Sequence, residues 1–149
     1  MPKDLAMHLE SAIARAVGEL RAIPELEAGN KPDSDQWSKK EELGHLIDSA
    51  ANNHIRFVCA TIQPKFHGPG YQQNDWVRLH GYAEMPWAEI IDFWQRYNLF
   101  LAGMVRRIPD ERLQTSSTVG DSEPVTLGFL IEDYVAHMQH HLDHIFERQ

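Results

Sequence analysis

Four of the nine histidines in this 149-residue chain fall within one short stretch: His137, His140, His141 and His144. In a helix, His137 with His141 and His140 with His144 each stand four residues apart. That spacing puts two imidazoles one above the other on a single face, where they can chelate one metal ion. On a helical wheel of the surrounding segment, His137 and His141 fall beside the apolar stripe, whereas His140 and His144 fall further round. The first pair is therefore better placed to face a core. Ligands at the margin of a core are half desolvated yet within reach of substrate, as an open catalytic metal site requires. Such sites take three or four protein ligands, so a third must come from elsewhere in the chain. His8, His45, His54, His67 and His80 are the candidates. Periodicity favours His54, which sits within the apolar stripe of its own segment. His45 lies on a polar line with Asp48, Asn52 and Cys59, nearly opposite that stripe, and the wheel turns it toward solvent. Spacing alone leaves the third ligand open.

Two carboxylates share the spacing of these histidines. Asp48 is one turn after His45 and Asp133 one turn before His137, so either can orient an imidazole or hold a water beside a metal. Other chemistries lack their motifs. The run His137-Met138-Gln139-His140-His141 has no Glu after its first His, which argues against a His-Glu-x-x-His peptidase. There is no context for a Ser-His-Asp or Cys-His nucleophile and no glycine-rich phosphate loop. Cys59 reads as a small packed residue, because no helix N-terminus or cationic neighbour is in place to lower its pKa. Trp37, Trp76, Trp87 and Trp94 read as core or lid residues, with Trp76 able to wall a pocket.

These side chains must be positioned by helices. Leu5, Leu9, Ala12, Ile13, Ala16, Val17, Leu20 and Ile23 repeat at three-and-four spacing and predict a first helix over 4–23, stopped by Pro24. Ser38 and Glu41 have capping-box spacing and open a second helix, expected from about Lys39 to Ile62. Its apolar stripe is Leu43, Leu46, Ile47, Ala50, Ala51, Ile55, Val58 and Ile62. Pro86 suits the first turn of a third helix that carries Trp87, Ile90, Ile91, Trp94, Tyr97, Leu101 and Val105. Thr126 can cap a fourth, with Leu127, Leu130, Ile131, Tyr134, Val135, Met138, Leu142, Ile145 and Phe146 on its stripe. No segment reads as a strand, and residues 24–37 read as a polar connection rich in Gly, Asn, Pro and Asp. Four helices of about 20 residues predict an all-α four-helix bundle. The connection over 63–85 is long enough to cross the bundle end to end, so the second and third helices can run parallel.

Composition narrows the partners. With 14 basic and 22 acidic side chains the net charge is −8, which repels phosphate backbones and points away from nucleic acid. The length suits one domain over 1–149. A single cysteine makes no internal disulfide, and neither a signal peptide nor an apolar run of membrane-spanning length is present, so a cytoplasmic protein without a membrane partner is expected.

Several of these runs resemble the DinB superfamily, in particular its YfiT-like branch. They are Trp37-Ser38-Lys39-Lys40-Glu41-Glu42-Leu43-Gly44-His45-Leu46-Ile47-Asp48-Ser49, then Asn52 and Ile55-Arg56-Phe57, and finally Asp133-Tyr134-Val135-Ala136-His137-Met138-Gln139-His140-His141-Leu142. The likeness extends to Trp76 and the long third helix, and so covers nearly the whole chain. It implies a four-helix bundle of up-down-down-up topology. It also implies a divalent metal held by His45, His137 and His141, which sets aside the periodicity in favour of His54. A homodimer is a further implication. The superfamily includes transferases and isomerases that use low-molecular-weight thiols, together with proteins described only as metal-dependent hydrolases.

Three neutral nitrogen ligands leave coordination positions open and preserve the charge of the ion, so a bound water or thiol is strongly acidified. The expected function is a metal-dependent enzyme acting on a small molecule by hydrolysis or thiol transfer. Imidazole ligands suit zinc or nickel, with manganese and iron as further candidates, and a low-molecular-weight thiol is the co-substrate that thiol transfer would require. The alternative from another class is a non-catalytic helical bundle that binds metal or dimerises.

Overall fold

The computed structural model describes residues 1–147. In chain order it contains α1 (Pro2–Ala22), a short α2 (Glu25–Gly29), α3 (Lys39–Ile62), β1 (Phe66–Gly68), α4 (Gln73–His80) and a 3-10 turn at Tyr82–Glu84. There follow α5 (Trp87–Arg106), a second 3-10 turn at Asp110–Gln114, β2 (Ser116–Val119), β3 (Val125–Thr126) and α6 (Leu127–Glu147). The four helices expected from periodicity are α1, α3, α5 and α6. Their ends lie where local chemistry sets them. At the start of α3 the Glu41 N–H donates to Ser38 Oγ at 3.2 Å and the Ser38 N–H to Glu41 Oε1 at 3.0 Å, a reciprocal capping box. The N–H of Phe129 donates to Thr126 Oγ1 at 3.0 Å, which caps α6. At the far end of α3, the Arg112 guanidinium donates to the carbonyls of Ala60, Thr61 and Gln63, acceptors that the helix itself leaves open.

Side-chain pairs at the helix ends fix the topology. Arg21, at the end of α1, pairs with Asp92 near the start of α5 at 2.6 Å, and Glu10 pairs with Arg106 at the end of α5 at 2.7 Å. These two helices are antiparallel. Glu25 in α2 pairs with Lys40 at the start of α3 and accepts from the Trp87 N–H at the start of α5 at 2.9 Å, so α3 and α5 begin together and run parallel. Glu42, at the start of α3, meets His141 and His144 at the end of α6, which makes that pair antiparallel. The order around the bundle is α1, α5, α3, α6, and the topology is up-down-down-up. The core is the set of stripes read from the sequence, among them Leu9, Ile13, Leu20, Leu43, Leu46, Ile90, Trp94, Leu127, Ile131 and Leu142, all buried. Each of these Leu and Ile side chains contributes about 1.5–3 kcal/mol relative to exposure.

Three expectations are corrected. Strands are present: β1 lies parallel to β2 with Phe66 opposite Ser117, and β2 lies antiparallel to β3 with Ser117 opposite Val125. Segments of two to four residues carry too little alternation to be read as strands, and tertiary pairing sets them. Residues 24–37 are not simply a polar connection, because α2 docks on α3 through Lys39–Glu27 and Lys40–Glu25 ion pairs whose lysines are buried.

The third correction bears on the site. The polar line of α3 does not face solvent: His45 is 0% and Asp48 2% exposed. The crossover from α3 to α5 runs back along this face and covers it, and the buried Tyr82 ring lies flush against Gly44. A Cβ at position 44 would fall 2.1 Å from that ring. Conversely Ile55 and Ile62, assigned to the core by periodicity, are exposed.

Candidate metal centre

Because α3 and α6 are antiparallel neighbours, the first turns of one face the last turns of the other. This brings together His45, His137 and His141, each offering a nitrogen, with the three nitrogens within 4.8 Å of one another. The ring of His45 lies 5.3 Å from that of His137 and 4.7 Å from that of His141, centroid to centroid. The two α6 rings are 4.6 Å apart, as their spacing of four residues requires. Trp37 covers the His45 ring from the other side at 4.8 Å.

Both ring nitrogens of His45 are buried without a hydrogen-bond partner. Leaving a buried polar group unpartnered costs about 1–3 kcal/mol, and a divalent ion among the three rings would satisfy one of them. The donor set therefore fits such an ion. Burial, and then the nearby His141 and His137, push His45 down to about 3, so it stays neutral and keeps its lone pair. Burial and His141 also lower His137, while Asp133 works in the opposite direction.

Glu42 holds the third ring. Its carboxylate, 2% exposed, lies 2.9 Å from His141 Nδ1 and 2.8 Å from His144 Nδ1. An ionised carboxylate only accepts, so Nδ1 of His141 donates, and Nε2 is the nitrogen that the ring can offer to an ion. Sequence reading missed Glu42. The signal was its position three residues before His45, but its pairing is legible only once α3 and α6 are known to be antiparallel.

Other polar residues are placed differently. Asp48 Oδ1 accepts from the Tyr82 hydroxyl at 2.7 Å and lies 2.8 Å from His80 Nδ1, while its Oδ2 is buried without a partner. Burial raises the Asp48 pKa, against the Tyr82 hydrogen bond and His80. Asp133 is exposed and lines a cavity beside His137. His54 is turned away from the three rings, with Nδ1 3.0 Å from the Tyr97 hydroxyl. His140 is exposed, its ring 5.6 Å from that of His141, and His144 is held by Glu42. Two cavities reach the centre. One of about 350 Å³ between α3 and α6 ends at His137, and one of about 420 Å³ is lined by Trp37, Glu42, His140, His141 and His144.

A family model described as the DinB superfamily matches residues 8–145. A protein of Halalkalibacterium halodurans named "putative metal-dependent hydrolase" is 22% identical over 124 residues, 83% of this chain and 72% of that one. A protein of Oceanobacillus iheyensis with the same description is 23% identical over 109 residues, 73% of this chain and 63% of the relative. Among solved structures, YfiT from Bacillus subtilis, titled "a probable metal-dependent hydrolase with an unusual four-helix bundle topology", superimposes with a TM-score of 0.86 at 20% identity. It covers 98% of this chain and 84% of its own. At that identity the likeness concerns the fold.

Proposed function

The chain belongs to the DinB superfamily, and on that premise we propose that it is a divalent-metal-dependent enzyme whose ion is held by His45, His137 and His141. The observation that carries this reading is the convergence of three imidazole nitrogens, one ring having neither nitrogen partnered. An ion there would supply Lewis acidity, lowering the pKa of a bound water or thiol while leaving a position open. The chain's own residues do the rest. His45 stays neutral through burial, Glu42 fixes the tautomer of His141, and the Trp37 ring keeps bulk water from the His45 side.

The reaction is attack on a small electrophilic substrate admitted through the cavity at His137, and hydrolysis is the form that the relatives' names favour. Transfer of a low-molecular-weight thiol uses the same centre. Zinc and nickel suit an all-imidazole site best, ahead of manganese and iron. Asp133, at the cavity beside His137, is the better placed of the two aspartates to take a proton from an entering nucleophile, and Asp48 is tied to Tyr82 and His80.

Elemental analysis of protein purified without a metal-affinity column identifies the ion. In the variant His141→Ala, metal content falls to background while the helical circular dichroism is retained. Metal content equal to wild type in that variant removes the reading.

A further inference from the structure

We propose that Arg56 anchors the carboxylate of a small-molecule substrate whose reacting end lies at His137; the position of the reacting end rests on the metal reading above. The 350 Å³ cavity is a groove with two helical walls, Ser49, Asn53 and Arg56 on α3 and Leu130, Tyr134 and His137 on α6. Both sets follow the spacing of one helix face. His137 stands at one end of the groove and Arg56 toward the other.

Arg56 differs from the paired surface arginines. Arg21, Arg78 and Arg106 each meet a carboxylate. The half-buried Arg56 makes no ion pair among the described residues. One of its terminal nitrogens donates to Asn53 Oδ1 at 3.4 Å and the other to the Pro69 carbonyl at 3.2 Å, and its central carbon lies 5.9 Å from the Tyr71 ring centroid. A guanidinium has five N–H donors in a planar fork that matches a carboxylate, and these contacts leave some of them free. Burial strips part of its hydration and lowers its pKa, which favours an incoming anion over continued solvation.

The surroundings select the anion. Tyr71 also lines the groove, and burial followed by the Asp48 charge pushes its phenol up to about 12, so it offers a neutral O–H. Asp133 and Glu123 line the same cavity and are exposed. One cation facing two rim carboxylates suits a single carboxylate and opposes a dianion such as a phosphate monoester. The helical rise puts the backbone of Arg56 about 16 Å along α3 from that of His45, and the side chain leans back toward the metal end. The ligand is thus extended, with its carboxylate on the order of 10 Å from its reacting atom.

Bifunctional probes test this. Zinc-loaded protein is titrated calorimetrically with 6-mercaptohexanoate and with 6-mercaptohexanol, which share a thiol and differ in the far group. The acid is expected to bind about tenfold tighter, the scale of one charge-assisted bidentate contact. In Arg56→Gln that advantage disappears while the affinity for the alcohol is unchanged. In Arg56→Lys, which keeps the charge in case the glutamine variant does not fold, part of it is retained. Equal affinity of acid and alcohol for the wild type overturns the proposal. So does a loss of both affinities together in the variants, which is the mark of a residue that only staples the crossover at Pro69.

If neither thiol binds the zinc-loaded protein better than the metal-free one, the metal reading fails. Arg56 is then judged on metal-free protein by its Nε–H resonance. A shift with hexanoate that hexanol does not produce supports the carboxylate site, and no shift overturns it.

Discussion

At the scale of single residues, the centre depends on a carboxylate that is not itself proposed as a ligand. Glu42 fixes the His141 ring through Nδ1. Replacing it by Gln keeps the volume and removes the charge, and zinc affinity should fall roughly 10- to 100-fold with the fold intact, as for other outer partners of ligating histidines. Competition against a chromogenic chelator measures it, and an unchanged affinity would show that Glu42 serves α6 docking alone.

His45 makes a second prediction, for the metal-free protein. Its pKa is near 3 when folded and near 6.5 when unfolded. Between those values the unfolded chain binds more protons, so stability declines as pH falls from about 6.5 toward 3. The contribution is up to about 1.4 kcal/mol per pH unit for this one group. Urea unfolding at pH 7, 6, 5 and 4 should show a shallower decline in His45→Gln than in wild type. Parallel curves would mean that His45 protonates in the fold. His137 and His141 could be chosen from a helical wheel. His45 could not, because its exposure is decided by a segment about forty residues downstream.

At the scale of elements, the α3 capping box, the α6 cap and both spans were legible because they rest on side chains within three or four residues of one another. Long-range contacts were not. The β1–β2 pairing joins segments about fifty residues apart, and the docking of α2 depends on lysines that a local reading leaves in water. The contact of Gly44 with Tyr82 is of this second kind, and it offers a clean test. In a helix, Ala is better than Gly by about 1 kcal/mol. Here a Cβ would strike the Tyr82 ring and loosen the lid over His45 and Asp48. Gly44→Ala should therefore lower the melting temperature, by a net of about 1–3 kcal/mol in stability. A melting temperature equal to or above wild type would show that the crossover yields at no cost.

At the scale of the whole molecule, the class and number of long helices followed from four apolar stripes, and the parallel course of α3 and α5 was allowed by the length of the crossover. The up-down-down-up topology itself came with the family resemblance. No helix of the described residues is long and apolar enough to cross a membrane. The stripes also left apolar side chains outside the core. Ile55 on α3 and Phe93 and Phe100 on α5 are 63%, 54% and 64% exposed, and His54 bridges the two helices by ring contacts with Tyr97 and Phe100. The homodimer that the family resemblance implies would need apolar surface of this kind to bury, and its presence is open to test. Sedimentation equilibrium should give twice the mass of the chain for wild type and the monomer mass for Phe93→Glu with Phe100→Glu. A monomeric wild type would refute it.

The histidines brought together at the centre come from stretches of chain roughly ninety residues apart. An ion that joined them would act on the unfolded polypeptide as a reversible tether, closing a loop whose entropy cost grows only slowly with its length. Its release would then loosen the opening turns of α3 and the closing turns of α6 in concert, and backbone amides at both ends would exchange with deuterium faster together while the middle of the bundle kept its protection.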